Sequence, residues 1–186
     1  MNFAVARPDV VRAINQRWLL KFWKRHRTAS GIPRWQDVEA EDLSRLSANL
    51  SFLDVSGADD APRFQIRFHG ETIAKVYGEP DCRGRYLDEV IPAARHDTGL
   101  MPYHRALKSR RPVYTICEVT DKDGRLINFE RLLLPFAGDG KTIDRILASF
   151  EFICEDGAFD SAAIMKLQMG APTLRLYTTI EPPAMS

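Results

Sequence analysis

Residues 113–153 read VYTICEVTDKDGRLINFERLLLPFAGDGKTIDRILASFEFI. Three runs rich in β-branched and aromatic residues, 113–120, 125–135 and 142–153, are separated by DKDG and GDGK. Both connections carry the residues that tight turns need, so the stretch predicts a three-strand antiparallel meander.

Upstream, RFQIRFH (63–69) alternates strictly, with Phe64, Ile66 and Phe68 on one side. Together with NLSFLDV (49–55) across the GADDAP turn it reads as a hairpin. ETIAKVYG (71–78) fits a short helix, and 92–109 a longer one that Gly99 and Pro102 bend or split. Strands, small helices and then a meander predict an α+β domain: one antiparallel sheet with helices on one face.

Ahead of the sheet, residues 9–26 have helical periodicity, with Val11, Ile14, Trp18 and Phe22 as an apolar stripe, and 39–48 predicts a short helix. Behind it, 159–169 suggests a short helix and 173–180 a strand. The predicted organisation is an N-terminal helical extension (1–48), the sheet domain (49–154) and a C-terminal tail (155–186).

Composition narrows the function. The 186 residues carry a net charge of +1, yet residues 1–34 hold eight Lys/Arg against one acid, and 35–60 hold seven acids against one base. The KFWKRHR run at 21–27 raises nucleic acid binding. A near-neutral chain lacks the broad positive field this favours, so the run is expected to be a solvated helical face beside the acidic segment. Three cysteines without CxxC spacing point to a reducing compartment and to no structural zinc. The N-terminus has no secretion pattern and no run is long enough to span a bilayer, so a cytoplasmic location is expected. No Ser/His/Asp arrangement, HExxH, Walker loop or paired carboxylate appears, and no enzyme activity is expected.

HGETIAKVYG (69–78), GRYLDEV (84–90), RPVYTICEV (111–119) and DGRLINFERLLLPF (123–136), with the closing strand, resemble a family of short, stand-alone bacterial proteins of the PAS fold. There a helical segment like 19–48 precedes the sheet. The likeness covers about residues 17–153 and implies a PAS-like five-stranded antiparallel sheet. It also implies a non-catalytic sensory module for signal transduction, which binds a small, mainly apolar ligand or relays a signal through a homodimer or protein partner.

Flavin-binding light sensors of this fold carry a reactive cysteine in G-x-N-C-R-F-L-Q, which PDCRGRYL invites for comparison. Aligned on the glycine, Leu87 falls at the reactive position, and the glutamine of that motif is missing. No flavin is therefore expected, and Cys82 reads as a partly exposed loop thiol beside Gly84, whose backbone freedom matters more.

Haem is the other cofactor to weigh. Among His69, His96 and His104 the best placed is His104, but no further motif supports haem, and no metal site is predicted. The candidate pocket wall is Tyr77, Tyr103, His104, Cys117, Phe129 and Arg131. If Ile127, Phe129, Arg131 and Leu133 face inward, Arg131 reaches a carboxylate or phosphate deep in the pocket. If Leu132 and Leu134 do, it is solvated, and the cost of burying an unpaired guanidinium favours that arrangement. The competing reading is a ligand-free adaptor that docks through an interface of Ile14, Trp18 and Phe22.

Overall fold

The structure is a computed structural model that describes residues 4–58, 61–79, 81–168 and 172–181. It opens with strand β1 (Ala4–Ala6) and helix α1 (Ile14–Arg25), followed by the short α2 (Ala40–Ser44). The hairpin β2 (Leu50–Ala58) and β3 (Ala61–His69) leads into α3 (Glu71–Tyr77), α4 (Leu87–Val90), α5 (His96–Gly99) and α6 (Met101–Ser109). The meander is β4 (Val113–Thr120), β5 (Leu126–Phe136) and β6 (Arg145–Cys154), and the tail supplies α7 (Ile164–Leu167) and β7 (Thr173–Ile180). The long helix expected over 92–109 is split at Gly99–Leu100, before the proline at 102.

The strands form one sheet in the order β1-β7-β4-β5-β6-β2-β3. Its five central and far-edge strands, β4-β5-β6-β2-β3, are the PAS-like sheet that the sequence predicts. Two more strands extend it past β4. The tail strand β7 pairs antiparallel with β4, Val113 opposite Thr179, and β1 runs parallel beside β7. The sheet is therefore seven-stranded and mixed, because an exposed β4 edge would otherwise leave a row of unpaired backbone groups.

Both faces of this sheet are buried. Val113, Cys117 and Val119 of β4, Ile127, Phe129 and Leu133 of β5, and Ile146, Ala148 and Phe150 of β6 point to one side. They pack under residues of α3, α4 and α6, among them Ile73, Val76, Leu87, Tyr103 and Ala106. The alternate residues Tyr114, Ile116, Leu132, Leu134, Phe136 and Leu147 point to the other side, where α1 covers them with Leu19, Leu20 and Trp23. Period-two alternation with apolar residues at both phases is the pattern of a strand buried twice. The N-terminal extension is thus the second layer of the core, with Trp23 1% exposed and its indole N–H donating to Pro135 O at 2.7 Å.

That outer layer carries a buried polar group of its own. Gln16 donates to Glu130 O (3.3 Å) and Ser149 O (3.1 Å), and the Tyr114 hydroxyl donates to Glu130 Oε2 at 2.6 Å. Across the β5–β6 register Glu130 faces Glu151, which accepts from Asn15 and Asn49.

The expected stripe on α1 is displaced by one step. Gln16, Leu19, Leu20, Phe22 and Trp23 are buried, whereas Ile14 is 77% exposed and Trp18 lies half-buried under Arg45, 4.5 Å from its ring centroid. Nor does the basic run dock on the acidic segment. Among the described residues no ion pair joins 1–34 to 35–58, and the basic side chains of 21–27 are exposed or half-buried.

Candidate functional site

The turn around Cys82 comes first, because its thiol prompts a chemical reading. Gly84 has φ +82 and no atom within 4 Å of where a Cβ would stand, so what a side chain would meet there is backbone strain, not a clash. The turn hydrogen-bonds to β3: Gly84 N to Ile66 O at 2.7 Å and Ile66 N to Arg85 O at 2.9 Å. This docking folds Cys82 inward, and it is 0% exposed instead of the partly exposed thiol expected from sequence. Burial raises its pKa, so it stays a thiol and a poor nucleophile. A serine there would bury a hydroxyl in an apolar site, at a cost of about 1–3 kcal/mol if unpaired.

Between the sheet and the helical layer lies a narrow cavity of about 40 Å³. Tyr77 from the end of α3, Gly99 from the α5–α6 junction, Cys117, Phe129 and Arg131 from the sheet, and Met165 from α7 line it. A second void of about 20 Å³ shares Tyr77 and is bounded by Tyr103. Larger hollows, of about 460 and 570 Å³, lie on the other face, away from these residues.

Four of the six residues expected at the pocket wall, Tyr77, Cys117, Phe129 and Arg131, therefore meet at one cavity, and Tyr103 stands behind it. His104 is exposed on α6, edge-on to Phe64 at 5.2 Å, and lines neither void. His96 bonds the Ile91 carbonyl at 2.8 Å, while His69 Nδ1 lies 3.1 Å from Ser51 Oγ.

Arg131 is 4% exposed, so the solvated arrangement favoured from sequence does not hold. Both phases of β5 are apolar because both faces are covered, and Arg131 shares the inner one with Phe129. Its Nη1 donates to Gly99 O at 3.1 Å and its Nε to Thr115 Oγ1 at 3.4 Å. The guanidinium carbon lies 5.2 Å from the Tyr103 ring centroid and 5.9 Å from that of Phe129. Among the described residues no acidic side chain forms an ion pair with it.

The neighbouring groups are held neutral. Burial drives the Tyr77 hydroxyl upward, with Tyr103 adding to the effect and Arg131 opposing it, and burial likewise raises Tyr103 and Cys117 against the pull of Arg131. The site therefore offers two cations, the buried Arg131 and the half-buried Arg95, and several neutral donors. Among the described residues no group of His, Cys, Asp or Glu could hold a metal ion.

Sequence reasoning missed the tail's share of the cavity wall. Arg95 donates to Met165 O at 2.7 Å and to Gln168 O, and Lys166 Nζ donates to Gly78 O at 2.9 Å. These contacts seat α7 against the cavity, with Met165 in its wall. They join residues about 70 to 90 positions apart, which no local pattern can reveal.

The family profile described as PAS domain matches residues 11–151. No protein with a curated description matches the chain. Among solved structures, a light-oxygen-voltage domain from work on a flavin analogue is 15% identical, with 62% of this chain and 84% of that chain covered at a TM-score of 0.45. The light state of the Aureochrome1 LOV photoreceptor is 12% identical, covering 64% and 91% at 0.43. The LOV protein of Rhodobacter sphaeroides is 13% identical, covering 64% and 71% at 0.43. At these identities the likeness carries nothing about ligand or chemistry.

Proposed function

Since the chain belongs to the PAS domain family, we propose that it is a non-catalytic sensory module that binds a small, mainly apolar metabolite between its sheet and inner helices. The observation that carries this reading is the inner cavity, whose largely apolar wall holds the buried Arg131, with the half-buried Arg95 also lining it. A few polar groups fixed in an apolar hollow are the usual makeup of a small-molecule site.

The reading has no place for flavin or haem. Pockets for drug-sized ligands run to about 300–1,000 Å³, far above the roughly 40 Å³ here. Leu87 is buried under β3, Cys82 is absent from the cavity wall, and His104 points elsewhere. The signal leaves through a homodimer or a protein partner, and the near-neutral overall charge argues against a nucleic acid partner. No helix among the described residues is long and apolar enough to cross a membrane.

One observation favours the second reading, a ligand-free adaptor. The interior is nearly filled, and α1 presents Ile14 outward, although Phe22 is 2% exposed and out of a partner's reach. Native mass spectrometry with an absorption spectrum separates the readings. A colourless co-purified small molecule supports the sensor, and a bare chain supports the adaptor. A yellow or red sample overturns the exclusion of flavin and haem.

A further inference from the structure

We propose that Arg131 is a carboxylate receptor and that the cavity takes a short-chain monocarboxylate, its head on the guanidinium and its alkyl end among Cys117, Phe129 and Met165. This rests on reading the cavity as a ligand site.

The first argument is charge. A guanidinium is always protonated, and burying one without a counter-ion costs several kcal/mol, of order. Chains that bury arginine usually supply an acid, and among the described residues none pairs with this one. The acid nearest in sequence, Glu130, is turned to the opposite face of the sheet, where Tyr114 holds it. The counter-charge is missing among the described residues, and the proposal assigns it to the ligand.

The second argument is geometry. Nε on Thr115 and Nη1 on Gly99 O fix the plane of the fork, while the guanidinium still lines the cavity. Aromatic rings on two sides prevent it from swinging out. A planar fork held this way matches a carboxylate, whose oxygens accept in the same plane.

The third argument is size. About 40 Å³ admits a group of a few heavy atoms, which suits acetate or propionate and excludes a phosphorylated metabolite. Tyr77 and Cys117 are both held protonated, and the other cation in the wall, Arg95, is engaged on the carbonyls of Met165 and Gln168.

The alternative is that Arg131 is only a strut that ties the α5–α6 junction to the sheet. Calorimetry of the full chain at constant ionic strength separates the two, with acetate, propionate and butyrate as probes against propionamide and inorganic phosphate. Saturable propionate binding is expected, at least roughly tenfold tighter than propionamide, which corresponds to the loss of one charge-assisted pair. Arg131→Gln should abolish that preference. Cys117→Met, which fills the cavity and leaves Arg131 in place, should abolish binding altogether.

Equal affinity for propionate and propionamide overturns the carboxylate assignment while leaving the ligand site standing. So does phosphate binding without propionate binding. No binding of any probe, together with no co-purified molecule, overturns the ligand site as well. If Arg131→Gln does not fold, the contrast between propionate and propionamide on the parent, with Cys117→Met, decides the matter.

Discussion

Glu130 and Arg131 are consecutive residues of β5, 1% and 4% exposed, and the pleat sends them to opposite faces of the sheet. On the outer face the carboxylate meets one donor from its own chain, the Tyr114 hydroxyl on Oε2, while the Gln16 amide donates to the residue's backbone carbonyl. On the inner face the guanidinium meets a hydroxyl, a carbonyl and two rings, but no acid among the described residues. The difference teaches which side is structural and which is open to chemistry. Neither charge meets its opposite among the described residues, and Glu130 Oε1 is buried without a partner, but of the two only Arg131 lines the inner cavity.

The outer face also bears the larger mechanical load, and substitutions should break the two faces unequally. Trp23→Ala removes a fully buried indole and its bond to Pro135, and should cost about 3–5 kcal/mol in urea melts. A loss below about 1 kcal/mol would mean that α1 rests on the sheet without sealing it. Tyr114→Phe strips Glu130 of its donor in a dry site and should cost about 1.5–3 kcal/mol. A neutral outcome would show that water or a proton already serves the carboxylate.

Gly84→Val is next in size and tests a position on neither face. Its φ of +82 makes any β-branched residue strained, with an expected loss of about 1–3 kcal/mol in chemical denaturation. Arg131→Met sharpens the comparison from the other side. An unpaired buried charge contributes little to stability, so its replacement by an apolar side chain should leave the ligand-free protein within about 1 kcal/mol of the parent. Equivalent destabilisation by Tyr114→Phe and Arg131→Met would erase the distinction between the faces.

The smallest effect is in the pH dependence. Burial raises the Glu151 pKa above its ordinary 4.5, with Asn15 and Asn49 pulling it back and Glu130 adding a further rise. The native state thus holds this proton more tightly than the unfolded chain. Its contribution to stability is complete below about pH 4.5 and is lost as pH rises through the folded value. Glu151→Gln should flatten that part of the curve, measured as melting temperature between about pH 4.5 and 7. An unchanged slope would place Glu151 in water.

Much of this molecule is legible from the chain alone. The β4 and β7 bounds match the sequence reading, and the hairpin, α3 and the break at Gly99–Leu100 follow from period-two alternation, turn residues and Gly/Pro punctuation. Those signals act between near neighbours, so one sequence suffices to read them.

Tertiary structure decided the rest. On β5, Phe129 and Leu133 argue for one inward face and Leu132 and Leu134 for the other, and with both faces buried periodicity cannot say where Arg131 points. On α1, the stripe chosen from Ile14 and Trp18 competes with Leu19, Leu20 and Trp23, and only the sheet beneath selects the second. The burial of Cys82, the seating of α7 through Arg95 and the pairing of β7 with β4 all join segments far apart in sequence. The sequence by itself determined the order and kind of the elements, because hydrogen bonding and side-chain period are local. Which faces are buried, and which charge lines the inner cavity, was decided by long-range packing.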